Sequence, residues 1–372
     1  DDPTRARIRA ELEKLARGSE HSEVIFKSGL FEHALDDAFY LLEVVDGDFL
    51  PAANALRKGD VQECVTLLTE RAAELVDFLE QAEKRRKRKD AAYLSYGISQ
   101  FLWTVAKIKA AWSLDDAIKR YQLAIEYGPD NPNIRLDAVK FLIRIEDALS
   151  IEQTQKLFEL AKNPDDLIWM LSEVGGCYED IEDFDKALYF YEKAVAALEK
   201  FAEATPQNVD LQMDLVRAWG DIAQTKMKAE DFDGALESRK KGLAILRGLA
   251  GQDPDMWLLH RALAAEQIDH ALTLRGQSRL EDADKLYRVA LDALKSEPTQ
   301  EASLFHIIGM AHLGLGDIAE DQGRNADARK SWTEARTSLL SARTAPPGSE
   351  PPDPKEATMI EEFLADIEER LA

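Results

Sequence analysis

The sequence predicts an all-α protein built from repeated helical hairpins. Ala, Leu, Glu, Lys and Arg are abundant, whereas runs in which β-branched and polar residues alternate are scarce, and this composition favours helices over strands. The hexapeptide that begins at Asp183 recurs in altered form at Asp231, so that Ala187 and Ala235 lie 48 residues apart, and a looser copy places Ala283 a further 48 residues along the chain. Two identical spacings are hard to obtain by chance, and they indicate a repeat array.

Each repeat contains a triplet in which an aromatic residue follows a small residue after four positions and another small residue follows after seven. Seven residues make about two helical turns, so the triplet lies on one helix face. Twelve positions before each triplet stands a residue that is Gly or Ala in four of six copies. Two helices pack closely only where their contact points are small, so we expect Gly175 and Gly316 to face an alanine, with the aromatic side chain filling the gap between successive hairpins. In one weaker copy, Arg239 stands at the aromatic position. The six copies begin at Ala117, Thr154, Ala187, Ala235, Ala283 and Ala328.

One copy in particular resembles the tetratricopeptide (TPR) repeat, in its order of apolar residue, Gly, Tyr, Ala and Tyr. The residues that carry the resemblance are Leu171, Val174, Gly175, Tyr178, Ala187, Tyr191 and Ala194. It extends over about residues 91–344, in about six hairpins. The 48-residue spacing is longer than the usual repeat of about 34 residues and is similar to long-repeat arrays of bacterial multidomain proteins, where the array is commonly a sensor or docking segment beside an effector domain. The resemblance implies an α-α superhelix, a TPR-like solenoid, that serves as a scaffold or interaction module.

Both ends of the chain depart from the repeat. Residues 1–90 predict a helical N-terminal cap or degenerate repeats, with helices over 4–16, 31–45 and 50–56 and a longer helix from residue 60. The Pro-rich segment 345–354 predicts a stiff linker. Residues 355–372 carry apolar residues at helical spacing and predict a C-terminal capping helix.

The charge balance bounds the choice of partners and compartment. A net charge of −23 argues against nucleic-acid binding and against docking on anionic membranes, and favours a basic partner or a soluble cytoplasmic protein. The two cysteines are too few for a disulfide framework, so a reducing compartment is expected. We find no secretory signal and no apolar run of the roughly 20 residues that span a bilayer. Because the chain lacks an initiator Met, we expect a fragment of a longer protein.

One dense basic run, residues 84–89, stands out in this acidic chain. It has the composition of a nuclear-localisation or nucleic-acid patch. A solvated helix end is the favoured interpretation, since cations suit a helix C-terminus. Docking against an acidic face is a third interpretation.

Catalytic and metal-binding motifs are missing from the sequence. There is no Gly-rich phosphate loop, no His-Glu-x-x-His run and no Gly-x-Ser-x-Gly elbow. Glu266 and His270 share a helix face but have no second pair nearby, and His306 and His312 are poorly aligned. Cys64 and Cys177 have no identifiable His partner, and they are expected to act as small packing residues. We therefore expect a protein without metal, cofactor or enzymatic activity.

The resemblance also implies where a partner binds. In TPR proteins the first helix of each hairpin lines a concave surface that receives a peptide or helix. A chaperone-tail clamp of Lys, Asn and Arg is not present at the corresponding positions, which hold residues such as Leu102 and Ala106. The cluster of Asp317, Glu320 and Asp321 favours a ligand that bears Lys or Arg. The expected partner-binding residues are Trp169, Ser172, Gly176, Glu179, Arg217, Gly220, Asp221, Gln224, Ile268, Leu272, Arg275, Leu313, Asp317, Glu320 and Asp321.

Three other functions compete with this interpretation. Exposed hairpin edges and the terminal helix predict, as one alternative, a self-associating regulatory segment that forms a homo-oligomer. An enzyme is the second alternative, and it requires a polar pocket with perturbed groups in residues 1–90. A nucleic-acid regulator depends on the basic run alone.

Overall fold

The computed structural model describes residues 2–44, 47–85, 87–253, 256–295, 301–344, 352 and 354–371. In these residues the regular structure is helical and no β-strand occurs, which confirms the all-α prediction. The helices are α1 (Pro3–Arg17), α2 (Ser22–Lys27), α3 (Leu30–Leu41), α4 (Leu50–Arg57), α5 (Val61–Lys84), α6 (Arg88–Lys109), α7 (Leu114–Tyr127), α8 (Pro132–Arg144), α9 (Leu149–Phe158), α10 (Pro164–Asp180), α11 (Phe184–Ala204), α12 (Val209–Lys228), α13 (Phe232–Gln252), α14 (Trp257–Gly276), α15 (Leu280–Leu294), α16 (Ala302–Asp321), α17 (Asn325–Thr344) and α18 (Pro354–Leu371).

The chain forms two compact units, residues 1–190 and residues 191–372. In unit 1, α6 packs on both α5 and α7, α8 packs on α9, and α10 packs on α8 and α9. In unit 2, α12 pairs with α13, α14 with α15 and α16 with α17, and α18 packs on α17. Hairpins of this kind, stacked on their neighbours, make the fold TPR-like.

The first 90 residues are helical, but two helices differ from the prediction. The short helix α2 was not anticipated. The predicted helix over 31–45 ends at Leu41, and Val45 lies outside the described residues. The side chain of Arg57 explains the early end, since its Nη2 donates to the carbonyl oxygens of Leu42, at 2.7 Å, and Val44. These hydrogen bonds satisfy carbonyl groups that would otherwise require another helical turn.

Five of the turns between paired helices repeat one backbone geometry. A residue in the left-handed region stands five positions before the small buried residue of the second helix; these residues are Gly59, Glu182, Glu230, Ser278 and Gly323. After Glu182, the backbone N–H of Asp183 donates to the carbonyl of Tyr178 at 2.9 Å, and equivalent hydrogen bonds close the other turns. This pattern is a helix C-cap. The recurrence of left-handed residues at 182, 230 and 278 reproduces the 48-residue spacing of the sequence.

The aspartates of the repeated hexapeptide begin the second helices. The side chains of Asp60 and Asp231 accept hydrogen bonds from the backbone N–H groups three residues on, at 2.9 and 3.0 Å, and Asp183 does the same for Lys186 at 3.2 Å. Each such cap satisfies one of the unpaired donors at a helix N-terminus. Local hydrogen bonding therefore accounts for the most visible motif of the sequence.

Glycines of α16 make room for aromatic rings. A Cβ on Gly316 would lie 2.3 Å from the indole of Trp332, so the contact that requires this glycine is the aromatic ring of the second helix. A Cβ on Gly314 would lie 2.2 Å from the ring of Tyr287, which belongs to the preceding hairpin. The aromatic side chain of one hairpin thus fills the gap next to the following hairpin, as the sequence predicted.

Helix α18 covers the last hairpin. Its residues Ile360, Leu364 and Ile367 are buried in one cluster with Trp332 and Leu339 of α17, which confirms a C-terminal capping helix. The predicted linker at 345–354 falls almost wholly outside the described residues.

Among the described residues, one helix, Ala302–Asp321, is long and apolar enough to cross a membrane. The sequence-based expectation that no such run exists was wrong on this point. Of the most apolar stretch of this helix, 61% is buried, and it packs on α14, α15 and α17. Its apolar character follows from this packing, because a helix that is enclosed by protein is apolar on most of its faces.

Candidate protein-binding surfaces

Unit 1 contains a cavity of about 250 Å³ between α3, α6, α7 and α8. Its wall combines carboxylates, cations and a histidine with a small apolar floor. The lining residues are Leu30, His33, Asp36, Asp37, Lys107, Ala110, Tyr121, Asp137, Lys140, Phe141 and Arg144. We call this cavity the charged pocket.

Helical spacing brings the polar groups to the charged pocket. On α8, Asp137, Lys140 and Arg144 are three and four residues apart, so they lie on one face. Lys107 comes from the last turn of α6. Asp37 comes from α3, which packs directly on α6. The charged pocket is therefore formed by residues from distant parts of the sequence.

One side of the charged pocket is acidic. Lys107 Nζ lies 2.5 Å from Asp37 Oδ1 and 4.0 Å from Asp137 Oδ2, and the indole N–H of Trp103 donates to Asp137 Oδ2 at 3.0 Å. Burial raises the pKa of Asp37, although the charge of Lys107 opposes the shift. With Asp36 at the exposed edge, this side has three carboxylates for one ammonium group.

The opposite side is basic. Lys140 pairs with Glu173 of α10, and Arg144 Nη2 lies 2.7 Å from Asp180 Oδ2. Burial, and next the charge of Arg144, lower the pKa of His33, so this imidazole stays neutral at pH 7. The charged pocket therefore has walls of opposite sign, and it can orient a ligand that carries both charges.

The partner-binding residues predicted on α10 lie next to the residues that pair with Lys140 and Arg144. Trp169 is exposed, and Ser172 and Glu179 are half-buried. The α10 residues that meet α8 are instead Glu173 and Asp180, together with Cys177. These contacts join α10 to α8 within the chain, so the partner-binding role of Trp169, Ser172, Gly176 and Glu179 stays a prediction.

The predicted residues of unit 2 fall into two groups. Arg217, Asp221 and Gln224 are exposed on α12, and Arg217 forms an ion pair with Asp214 one turn away. Ile268, only 6% exposed, belongs to the core and is not available to a partner, which corrects its assignment. On α14 and α16, Leu272 is exposed, whereas Leu313 is buried.

The acidic residues of α16 are brought together with two arginines of the same chain. Arg275 of α14 binds Asp317 at 2.7 Å and Asp321 at 3.0 Å. Arg370 of α18 binds Asp317 at 2.7 Å and lies 3.7 Å from Glu320. From the sequence, these carboxylates were expected to favour a ligand that bears Lys or Arg, whereas in the structure Arg275 and Arg370 of the same chain already pair with them.

A second buried charge cluster occurs where Arg239 replaces the aromatic residue of the repeat. Its Nη1 lies 3.2 Å from both oxygens of Glu266 and 3.1 Å from Asp269. A Cβ on Gly220 would lie 3.5 Å from the same guanidinium, an ordinary van der Waals distance, so the predicted groove residue Gly220 lies beside this cluster. Burial raises the pKa of Glu266 to about 7, in part offset by Arg239.

The metal and thiol candidates have other surroundings in the structure. Glu266 binds Arg239 rather than a metal, and burial and nearby cations lower the pKa of His270 to about 4. Within the described residues, no three His, Cys, Asp or Glu side chains are arranged to hold an ion. Burial raises the pKa of Cys64 to about 12 and that of Cys177 to about 11, so both are protonated thiols in the interior of unit 1.

Comparison with known proteins finds similarity in structure only. No protein-family model matches the chain, and no curated protein sequence matches it. The apo form of RapI is similar at 12% identity, over 87% of this chain and 83% of RapI, with a TM-score of 0.46. The C-terminal part of a TPR repeat-containing protein from Cytophaga hutchinsonii is similar at 13% identity, over 78% of this chain and 94% of that part, with a TM-score of 0.42.

A third similar structure is a signal-transduction ATPase with numerous domains and a TPR sensor, from Pyrococcus horikoshii. The identity is 12% over 94% of this chain, with a TM-score of 0.42. This chain spans 48% of the length of that protein.

Proposed function

We propose that the chain is a protein-interaction module that binds a segment of another protein on the first helices of unit 1. The charged pocket is the observation that carries this function. It is concave, has walls of opposite charge and an apolar floor, and lies on the helix faces that meet between successive hairpins. Concave sites with a few convergent polar groups are the usual binding sites of proteins.

The acidic residues of α16 are a weaker candidate for the binding site. A basic partner would have to displace Arg275 or Arg370 from Asp317, which is only 8% exposed. Such a displacement would leave a buried guanidinium or carboxylate without its counterion, at a cost of several kcal/mol. In the charged pocket the Lys140–Glu173 pair is more exposed, with 27% and 38% of the two side chains accessible, so its displacement costs less.

Binding is favoured over catalysis at the charged pocket. Although α3 supplies part of its wall, as an enzyme in residues 1–90 would require, Lys107, Lys140 and Arg144 are each engaged by a carboxylate. Burial raises the pKa of Tyr121 well above its usual value, so its hydroxyl is a poor general acid at pH 7. The described residues of the charged pocket include no Ser, Thr or Cys that could serve as a nucleophile.

Selection of peptides from a displayed random library, followed by affinity measurement, tests this function. The affinity of an enriched peptide should fall by about tenfold or more in Lys140→Glu. The matched control is Lys119→Glu, which reverses the charge of an exposed residue on the second helix α7 and should leave the affinity unchanged. Circular dichroism melting of both variants checks that the fold is retained. Failure to enrich any peptide, or equal losses in both variants, would contradict the proposal.

A further inference from the structure

The hairpin of α5 and α6 projects beyond its neighbours in unit 1. These helices have 24 and 22 residues, whereas the adjoining α4 and α7 have 8 and 14. At 1.5 Å per residue, α6 is therefore about 12 Å longer than α7. Between residues 80 and 97, Ala82 is the single buried residue among those described. The end of this hairpin, which we call the hairpin tip (residues 80–97), is therefore surrounded by solvent.

The hairpin tip is basic in a chain of net charge −23. Its described cations are Lys84, Arg85, Lys87, Arg88 and Lys89, all exposed; Arg86 lies outside the described residues. Two ion pairs occur among them, Lys84 with Glu80 at 3.4 Å and Lys87 with Asp90 at 3.1 Å. Both pairs are at the surface, where water and salt weaken them.

The helix dipole accounts for only part of this charge. Lys84 and Arg85 lie at the C-terminus of α5, where cations are stabilised. Arg88 and Lys89, however, lie in the first turn of α6, where the dipole destabilises cations. The whole run is exposed at helix ends and the turn between them, as the favoured interpretation expects, but the helix dipole does not explain the cations of its second half.

Aromatic side chains continue the basic surface along α6. Lys89, Tyr93, Tyr96, Trp103 and Lys107 follow at intervals that keep them on one face of the helix. Tyr93 is 77% exposed and Tyr96 is 59% exposed. Further along the helix, Trp103 donates to Asp137 of the charged pocket, and Lys107 lines the pocket and pairs with Asp37. We call the exposed part, Lys89, Tyr93 and Tyr96, the α6 stripe. It runs along α6 from the basic end of the hairpin tip towards the charged pocket.

We propose that the hairpin tip and the α6 stripe bind an acidic segment of a partner protein, with apolar side chains of that segment packed on Tyr93 and Tyr96. This inference rests on the proposed function, since the same surface leads into the charged pocket. Tyrosine supplies apolar area together with a hydroxyl and is enriched at protein interfaces. The cations of the hairpin tip steer and orient the acidic part.

The charges along the surface distinguish a protein from a polyanion. A nucleic acid bound along the α6 stripe towards the charged pocket would place its phosphates near the acidic wall formed by Asp36, Asp37 and Asp137, which would repel them. A polypeptide changes charge along its length, so that its acidic part can lie on the hairpin tip and a neutral or basic part on the acidic wall. An anionic lipid surface fits less well, because the cations lie at the end of the hairpin and would enter the membrane before the tyrosines.

Fluorescence anisotropy with labelled synthetic peptides tests the inference. The probe is a peptide of alternating Glu and Leu with an uncharged C-terminal half; its counterpart has Lys in place of every Glu. We expect the acidic peptide to bind about tenfold or more tightly than the counterpart, and to lose affinity between about 50 and 300 mM salt. The double variants Arg88→Glu/Lys89→Glu and Tyr93→Ala/Tyr96→Ala should each weaken it about tenfold or more, whereas Lys119→Glu should not.

Several outcomes would overturn this inference. Equal binding of the two peptides, no binding of either, or insensitivity to both double variants excludes an acidic segment as the ligand. Oligothymidylate or phosphatidylserine vesicles that bind more tightly than the peptide, through the same residues, assign the hairpin tip to another class of ligand. All substituted residues are exposed, so the melting temperature should stay unchanged and a loss of binding reports on the surface.

The proposed function and the acidic-segment inference can be contradicted independently of each other. If library-selected peptides lose affinity in Lys140→Glu but not in the hairpin-tip variants, the proposed function stands and the acidic-segment inference falls. If the acidic peptide depends on Arg88 and Lys89 but no ligand depends on Lys140, binding occurs at the hairpin tip without the charged pocket.

Discussion

Arg370 Nη1 lies 2.7 Å from Asp317 Oδ1, while the other oxygen of the same carboxylate accepts a hydrogen bond from Arg275 at 2.7 Å. The indole N–H of Trp332 also donates a hydrogen bond to Asp317 Oδ1, at 3.2 Å. Burial raises the pKa of Asp317, and the two arginines oppose the shift. A single carboxylate thus connects α14, α16 and α18, and it couples the capping helix to the last two hairpins.

Removal of one arginine from this group should destabilise unit 2. In Arg275→Met, buried Asp317 retains Arg370 alone, and we expect the free energy of unfolding to fall by about 2 kcal/mol. The control is Arg217→Met, whose exposed pair with Asp214 should contribute less than about 1 kcal/mol. Urea denaturation followed by circular dichroism measures both. Similar losses in the two variants would mean that the buried position of Asp317 has no energetic consequence.

Glu266 should make stability depend on pH near neutrality. Its pKa is about 7 in the folded protein and near 4.5 in the unfolded chain, so the folded state holds a proton that the unfolded chain releases between these values. The resulting stabilisation is fully present below pH 4.5 and is lost as the pH rises through 7, by about 3 kcal/mol. Urea denaturation of the wild type and Glu266→Gln at pH 5 and pH 8 isolates the effect, because the other groups cancel in the difference. If the difference in free energy of unfolding between the wild type and Glu266→Gln is the same at both pH values, Glu266 is not the source of the pH dependence.

Gly314 should be intolerant of a methyl group. Its Cβ would lie 2.2 Å from the ring of Tyr287, which is buried and cannot move aside without disturbing the packing between hairpins. We expect Gly314→Ala to reduce the free energy of unfolding by about 2 kcal/mol, as overpacked cores do. Gly248→Ala is the matched control, since nothing lies within 4 Å of that Cβ, and Ala should stabilise α13 by about 0.5–1 kcal/mol. Thermal melting of both variants should therefore give shifts of opposite sign.

Replacement of Glu230 by glycine should stabilise the folded protein. It holds a φ of 62° at the C-terminus of α12, a conformation that glycine adopts without the strain of a side chain. We expect Glu230→Gly to raise the free energy of unfolding by about 0.5–1 kcal/mol. The same change at Glu237, inside α13 and exposed, should lower it by about 1 kcal/mol. If both variants are destabilised in chemical denaturation, the strain at Glu230 is smaller than the entropy that glycine adds to the unfolded chain.

Much of the fold could be predicted because its determinants are local. The aspartate caps and the left-handed turn residues act within five or six positions of the chain, and they recur with the 48-residue spacing that the alanines display. The end of α3 could not be predicted in this way. It depends on Arg57, sixteen residues beyond Leu41, whose guanidinium reaches the carbonyls of Leu42 and Val44.

The types of residue at the candidate sites could be expected from the sequence, but the places where they meet could not. The acidic residues of α16 were expected to favour a partner that bears Lys or Arg, whereas the structure pairs them with Arg275 and Arg370 of the same chain. The charged pocket was missed, since His33, Lys107 and Asp137 show no common spacing. The basic run at residues 84–89 was the sequence signal at the hairpin tip, but the solvated helix end was the interpretation favoured for it.

The helical class, the 48-residue period and the aspartates that begin several second helices follow from the sequence alone, because hydrogen bonding and backbone conformation act between near neighbours. Only the tertiary structure decided which faces of the helices meet. That choice buried Ile268, paired Asp317 with two arginines and left the charged pocket open. The reason is physical: the rotation of one helix against another depends on how all side chains of both faces fill the space between them, and charges that meet there can come from any distance along the chain.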